Sequence, residues 1–129
     1  MKVDIKIEGL KEIEKNIDIY AKYMDIGVQA AMEEVIDLIA NKARDMAPVD
    51  TGKLRNSIQW TVRKMTKDLV TGSVMANIEY AKYIELGSSN RPPDPFLEPA
   101  LEEGIKRLKK ELEAAHKRAA SRLKKTRRF

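Results

Sequence analysis

Along residues 3–7, apolar Val3, Ile5 and Ile7 alternate with Asp4 and Lys6, and Glu8 follows. This period of two buries one face of a strand. Gly9 closes the run, and from Leu10 the period lengthens. Leu10, Ile13, Ile17, Ala21 and Met24 fall at three- and four-residue steps, and Val28, Ala31, Val35, Leu38, Ile39, Ala43 and Met46 continue the pattern. The spacing predicts one long helix, or two consecutive ones, over residues 10–46. Gly27 is the point of interruption or kink, and Pro48 disfavours helical geometry just ahead of itself. Ile58, Trp60 and Val62 return to alternation, as do Val70, Gly72, Val74, Ala76 and Ile78. The polar KMTKD at 64–68 between the two runs predicts a β-hairpin. YAKYIELG at 80–87 has room for two short helical turns closed by Gly87, and SSNRPPDP at 88–95 reads as a loop. A last amphipathic helix is predicted from Phe96 to Leu123, with Leu97, Leu101, Ile105, Leu108, Leu112, Ala115, Ala119 and Leu123 as its stripe. Pro99 fits only in its first turn.

The order strand, long helix, hairpin, short helix, long helix segregates strands from helices. It predicts an α+β fold: a small antiparallel or mixed sheet, made of the N-terminal strand plus the hairpin, packed against long helices in a single domain. A chain of 129 residues holds one modest core. Residues 1–105 are expected to form that core domain and 106–129 a basic helical extension and tail.

Composition adds an asymmetry. Charged residues are 35% and hydrophobic residues 43%, as in a globular chain with a heavily charged surface. The net charge of +5 is unevenly placed: Lys106–Phe129 holds 11 of the 25 cations and 2 of the 20 acids, a net of +9, which leaves −4 on residues 1–105. With no cysteine, a disulfide framework and a thiolate metal site are excluded, and a cytoplasmic product is expected. No apolar run approaches the roughly 20 residues that cross a bilayer, so no membrane partner is expected, and the start lacks the apolar stretch of a signal peptide.

Asp50-Thr51-Gly52 is the one stretch that looks catalytic, because Asp-Thr-Gly is the local signature of aspartic proteases. Such catalysis needs two carboxylates sharing a proton at strand ends. Here Asp50 follows a helical pattern, Lys53 comes next, and no second such triplet exists. Asp50 is instead expected to cap a short turn over Thr51–Asn56, with Gly52 supplying tight backbone geometry. His116, the only histidine, lies in a charged helix and reads as solvated. Acidic pairs such as Glu33–Glu34 and Glu102–Glu103 read as solvated helix faces. No phosphate-binding glycine loop is present. The chain is therefore expected to be no enzyme and to carry no catalytic residue, cofactor or metal.

Three segments in fixed order carry a resemblance: NKARDMAPVDTGKLRNSI at 41–58, YAKYIELGS at 80–88 and PFLEPAL at 95–101. With the opening VDIKIEGLKEIEKNI at 3–17, the chain resembles the tail-completion, or head–tail joining, proteins of long-tailed bacteriophages and prophages, over roughly residues 3–105. The resemblance implies a structural protein of the virion neck that self-associates into a ring, a hexamer in the virion and open to being monomeric when free, between connector and tail-tube proteins. The implied location is the virion tail or neck, after assembly in the host bacterial cytoplasm. The family's motif positions fall on Ala47, Pro48, Asp50, Thr51, Gly52, Leu54, Ser57 and Ile58, on Tyr80, Ala81, Glu85 and Gly87, and on Pro95, Phe96, Pro99 and Ala100. Phe96 between Pro95 and Pro99 would form a stiff anchor; Tyr80 and Tyr83 would pack while Glu85 pairs with a basic group. Packing within one chain and contact between subunits both remain open for these residues.

The basic segment supports an alternative function, a small sequence-nonspecific nucleic-acid-binding protein. Lys106, Arg107, Lys109, Lys110, Lys117, Arg118, Arg122, Lys124, Lys125, Arg127 and Arg128 would then contact a polyanion such as DNA. Few aromatics interleave with them, which argues against base stacking. The bland reading of the same residues is a solvated helix face.

Overall fold

A computed structural model describes residues 1–7, 18–48, 52–66 and 69–126. In chain order its elements are β1 (Lys2–Ile7), α1 (Asp18–Met46), α2 (Lys53–Ser57), β2 (Ile58–Thr66), β3 (Leu69–Ala76), α3 (Ala81–Leu86) and α4 (Glu98–Thr126). The three strands form one antiparallel sheet in the order β1-β3-β2. This settles the choice between an antiparallel and a mixed sheet. Val74 stands opposite Val3 on one side and Trp60 on the other, and Gly72 opposite Ile5 and Val62. Residues opposite one another share a face, so these apolar positions together make the face turned to α1. The other face carries Lys2, Asp4, Thr61, Arg63 and Ser73, with the Ser73 hydroxyl donating to Asp4.

Long helix α1 lies between the sheet and α4. Met32 and Ile36 meet the sheet at Gly72, whereas Val35 and Ile39 meet α4 at Gly104. Helices α1 and α4 run antiparallel. Gly27 faces Ala115 at one end of the pair, and Lys42 pairs with Glu103 at 3.0 Å near the other. Buried Met32, Val35, Ile36, Ile39, Val70, Val74 and Leu97 form the centre of one continuous core, so the chain is a single α+β domain.

Several expectations need correction. The helix over 10–46 is described only from Asp18, and residues 8–17 lie outside the described residues. From there it runs unbroken through Gly27 to Met46. Gly27 does not interrupt it; a side chain there would bring a Cβ within 2.9 Å of the Ala115 Cβ, so the residue sets how closely α4 approaches. Strand β2 continues through the polar KMT to Thr66, with a register irregularity between Lys64 and Thr66, while Lys67 and Asp68 lie outside the described residues. The buried row of α4 is Ala100, Gly104, Leu108, Ala115 and Ala119, which keeps Leu108, Ala115 and Ala119 of the expected stripe and adds Ala100 and Gly104. Leu101 and Leu112 are half-buried, Ile105 is 40% exposed, and the Leu123 side chain lies outside the described residues. The physical reason is close approach: small residues let two helix backbones come near, so Gly104 and Ala115 take the contact line ahead of Leu101, Ile105 and Leu112. The helix crosses residue 105 without a break, and the buried Leu108, Ala115 and Ala119 pack the basic segment along the core.

Candidate functional site

The recognisable segments converge at the end of the molecule where α1 stops and α4 starts. Ala47 closes α1 as its amide donates a hydrogen bond to the Ala43 carbonyl at 2.9 Å. The described chain resumes at Gly52, whose φ of 77° is readily adopted only by glycine. Gly52, not Asp50, holds the capping position of α2; Asp50 and Thr51 lie outside the described residues. The α2 turn buries Leu54, and the Ser57 hydroxyl donates to the Leu54 carbonyl at 2.7 Å. Arg44 reaches across from α1 and donates to the Ile58 carbonyl at 2.8 Å. That guanidinium fastens the helix-to-strand junction. Its sequence neighbourhood gave no sign of this role, because the acceptor is a backbone atom 14 residues away.

Glu85 is the most informative side chain of the region. It is the one buried charged residue among the described residues. The expectation that it pairs with a basic group is overturned. Its Oε1 accepts from the Phe96 amide at 3.1 Å and the Leu97 amide at 2.7 Å, and its Oε2 from the Glu98 amide at 3.3 Å. These are the amides at the start of α4, which have no partner inside the helix. A carboxylate satisfies them and also meets the positive end of the helix dipole. A capping acid is normally a neighbour in sequence; this one arrives from α3, 11 to 13 residues earlier. The connection between the two is equally constrained. Ser88 and Arg91 exchange backbone hydrogen bonds of 2.9 and 3.3 Å, and the Asp94 amide donates to the Ile84 carbonyl at 2.8 Å. Gly87 has φ 79°, and a Cβ there would lie 2.8 Å from the Pro93 nitrogen.

The anchoring role expected of Phe96 is internal: it is fully buried, as is Leu97 beside it. Pro95 is exposed, and Pro99 is half-buried in the first turn of α4. Tyr80 and Tyr83 are only partly packed; both rings are exposed, and the Lys82 ammonium lies 5.0 Å from the centre of the Tyr83 ring. Between these segments lies a cleft of about 280 Å³, lined by Pro48, Gly52, Lys53, Leu54, Tyr80, Ile84 and Arg91. The structure thus brings together Pro48, Gly52, Leu54 and Tyr80 at one surface, with Glu85 and Gly87 just behind it as supports. Among the described residues the cleft lining has no acid, histidine or hydroxyl apart from the Tyr80 phenol; Asp50 and Thr51 lie outside them. The described walls are apolar, with the two cations Lys53 and Arg91. A shallower groove of about 400 Å³ beside α1 is acidic, with Glu34, Asp37, Asp45 and Glu103 around Leu38 and Lys42.

The cations of α4 fall into two groups. Arg107 pairs with Glu34 at 3.4 Å and Glu111 at 3.1 Å, and the Arg122 guanidinium lies 5.5 Å from the Tyr23 ring centre. Both are turned toward their own chain. Lys106, Lys109, Lys110, Lys117 and Arg118 are exposed and form no ion pair among the described residues. Lys124 and Lys125 lie in the last turn of α4, and Arg127 and Arg128 outside the described residues. Among the described residues no helix is long and apolar enough to cross a membrane, and no cluster of side chains could hold a metal.

Residues 10–87 match the model of a family described as "Bacteriophage HK97-gp10, putative tail-component". The match covers the first two of the three converging segments and ends at Gly87, just short of the third. No curated protein and no solved structure matches the chain.

Proposed function

Because the chain belongs to the HK97-gp10-like family of bacteriophage tail components, we propose that it completes the tail and joins it to the head, as a ring at the neck between connector and tail tube. The family itself makes the protein a phage structural component with its place in the virion. The observation that carries the finer reading is the convergence of Pro48, Gly52, Lys53 and Leu54 with Tyr80 and Ile84 on one cleft whose described walls are apolar and basic. A joining protein needs surfaces held in fixed relation. Glu85, Gly87 and Arg44 do this by locking α3, the loop after it and the α2 junction to the ends of the two long helices. We assign no catalytic role, cofactor or metal. Self-association supplies the ring, and α3 with the cleft is its subunit-contact surface; assembly takes place in the bacterial cytoplasm.

The test is complementation. A phage lacking this chain should accumulate filled heads and separate tails, and adding the purified protein should join them. Joining that proceeds equally well without it would remove the reading.

One observation favours a second role, contact with DNA: five exposed cations of α4 form no ion pair among the described residues. Contacts to phosphates release counterions, so duplex affinity would fall by roughly one power of salt concentration per contact. Lys106→Ser, Lys110→Ser and Lys117→Ser together should flatten that slope by about three. A wild-type protein with no measurable duplex affinity at low salt would dismiss the role.

A further inference from the structure

Among the described residues the cleft lining holds two cations, Lys53 and Arg91, beside apolar Pro48, Leu54 and Ile84 and the Tyr80 ring. Beside it α3 leaves Tyr83 and Leu86 in solvent, Leu86 at 66% exposure. Contiguous exposed apolar side chains on a small chain mark a contact surface. This one fits an apolar body flanked by carboxylates.

Helix α1 displays such a body on its outer side. Ile26, Ala30, Glu33 and Asp37 follow one another at steps of four, three and four, so they lie in one row along the helix. All four are exposed, and Ile26 at 57% is nearly as open as Leu86. Glu33 forms no ion pair among the described residues, and Asp37 accepts only a long bond of 3.4 Å from the Asn41 amide. Ile26 and the cleft end of α1 at Met46 are 20 residues apart, about 30 Å along a helix rising 1.5 Å per residue. α1 is continuous between them, so a chain cannot lay its own row into its own cleft. Another copy can.

We infer that the cleft and α3 of one copy receive the Ile26–Asp37 row of α1 from the next copy. Ile26 packs on the Tyr80–Leu86 surface, and Lys53 and Arg91 face Glu33 and Asp37. The inference rests on the reading above that the protein self-associates, and names the two surfaces that do it. They differ, so the contact is heterologous. Each added copy leaves one cleft and one row unused, and repetition closes into a ring or continues as a filament.

A charge exchange tests the contact. One full-length variant carries Lys53→Glu and Arg91→Glu, the other Glu33→Lys and Asp37→Lys. Each alone should associate at least about tenfold more weakly than wild type, because like charges then face one another. An equimolar mixture should recover assembly, since each variant's cleft now meets a row of opposite sign on the other. Unchanged association of the separate variants, or no recovery on mixing, would overturn the inference.

Cross-linking keeps the test decisive if a variant folds poorly. The chain has no cysteine, so Ala30→Cys and Ser89→Cys, both exposed positions, can be placed in separate copies. Mixed at the highest soluble concentration and on isolated tails, they should form a disulfide-linked pair far faster than either variant alone. Rings on tails without that cross-link would overturn the contact and leave self-association standing. Cross-linking of Ser89→Cys to a tail-tube or connector subunit instead would assign the cleft to that neighbour. Absence of both rings and cross-links would remove the self-association reading along with the inference.

Discussion

Replacing Glu85 with alanine removes the only side-chain acceptor that the Phe96 and Leu97 amides have. Both residues are buried, so water does not take its place without cost. A buried donor left unsatisfied costs about 1–3 kcal/mol, and two of them make the expected loss for Glu85→Ala about 3 kcal/mol. The Glu98 amide contributes less, at 3.3 Å and nearer the surface. For a domain of this size such a loss lowers Tm by roughly 10 °C. Glu85→Gln keeps an oxygen that accepts from the same two amides but gives up the charge at the positive end of α4. It should lose about 1 kcal/mol, the scale of a helix-terminal charge. The assay is thermal and urea unfolding of wild type and the two variants, followed by circular dichroism. The order expected is wild type, then Gln, then Ala. An alanine variant within about 2 °C of wild type, well below the 10 °C shift, would show that the Glu85 clamp does not hold α4. A glutamine variant as weak as alanine would show that charge, not the acceptor oxygen, carries the stabilisation.

Gly87→Ala should cost more than the roughly 1 kcal/mol of a left-handed backbone alone, because its Cβ would also press on the Pro93 nitrogen at 2.8 Å; urea midpoints read the loss. Leu108→Ala should cost about 2–4 kcal/mol as a buried large-to-small change, whereas Ile105→Ala, at a 40% exposed position, should cost under about 1 kcal/mol by the area that its side chain still buries. Equal losses at the two sites would mean that α4 is rotated from the position described. Gly27→Ala should destabilise although alanine is normally better in a helix by about 1 kcal/mol, since the new Cβ meets Ala115 at 2.9 Å; adding Ala115→Gly should recover most of the loss in a double-mutant cycle.

Much of the fold was legible because it depends on local periods. The alternation of Val3 and Ile5, and of Val70, Gly72 and Val74, marks the sheet face that α1 covers. The period of α1 from Met24 to Ala43 marks its buried side. The misreadings all involve partners distant in sequence. Ile105 has the right spacing for the stripe of α4, but α1 approaches along Gly104 and Ala115, and apolar spacing alone does not weigh the smaller residues that a close crossing selects. Trp60 points to the buried face, yet β2 is an edge strand and the ring stays 38% exposed. At the candidate site the structure gathers Pro48, Gly52, Leu54 and Tyr80 around one cleft, and what supports them was not legible. A glutamate in a short helix reads as a solvated or ion-paired residue. Only the folded chain shows that Glu85 faces the free amides of a helix that starts 13 residues later.

The central claim is a place in the virion, and imaging of intact tails tests it directly. With the protein carrying a label at exposed Ser121, tails isolated before head attachment should show density at one end only, the end that later meets the connector. Label along the tube, or its absence from tails that still join heads, would contradict the account.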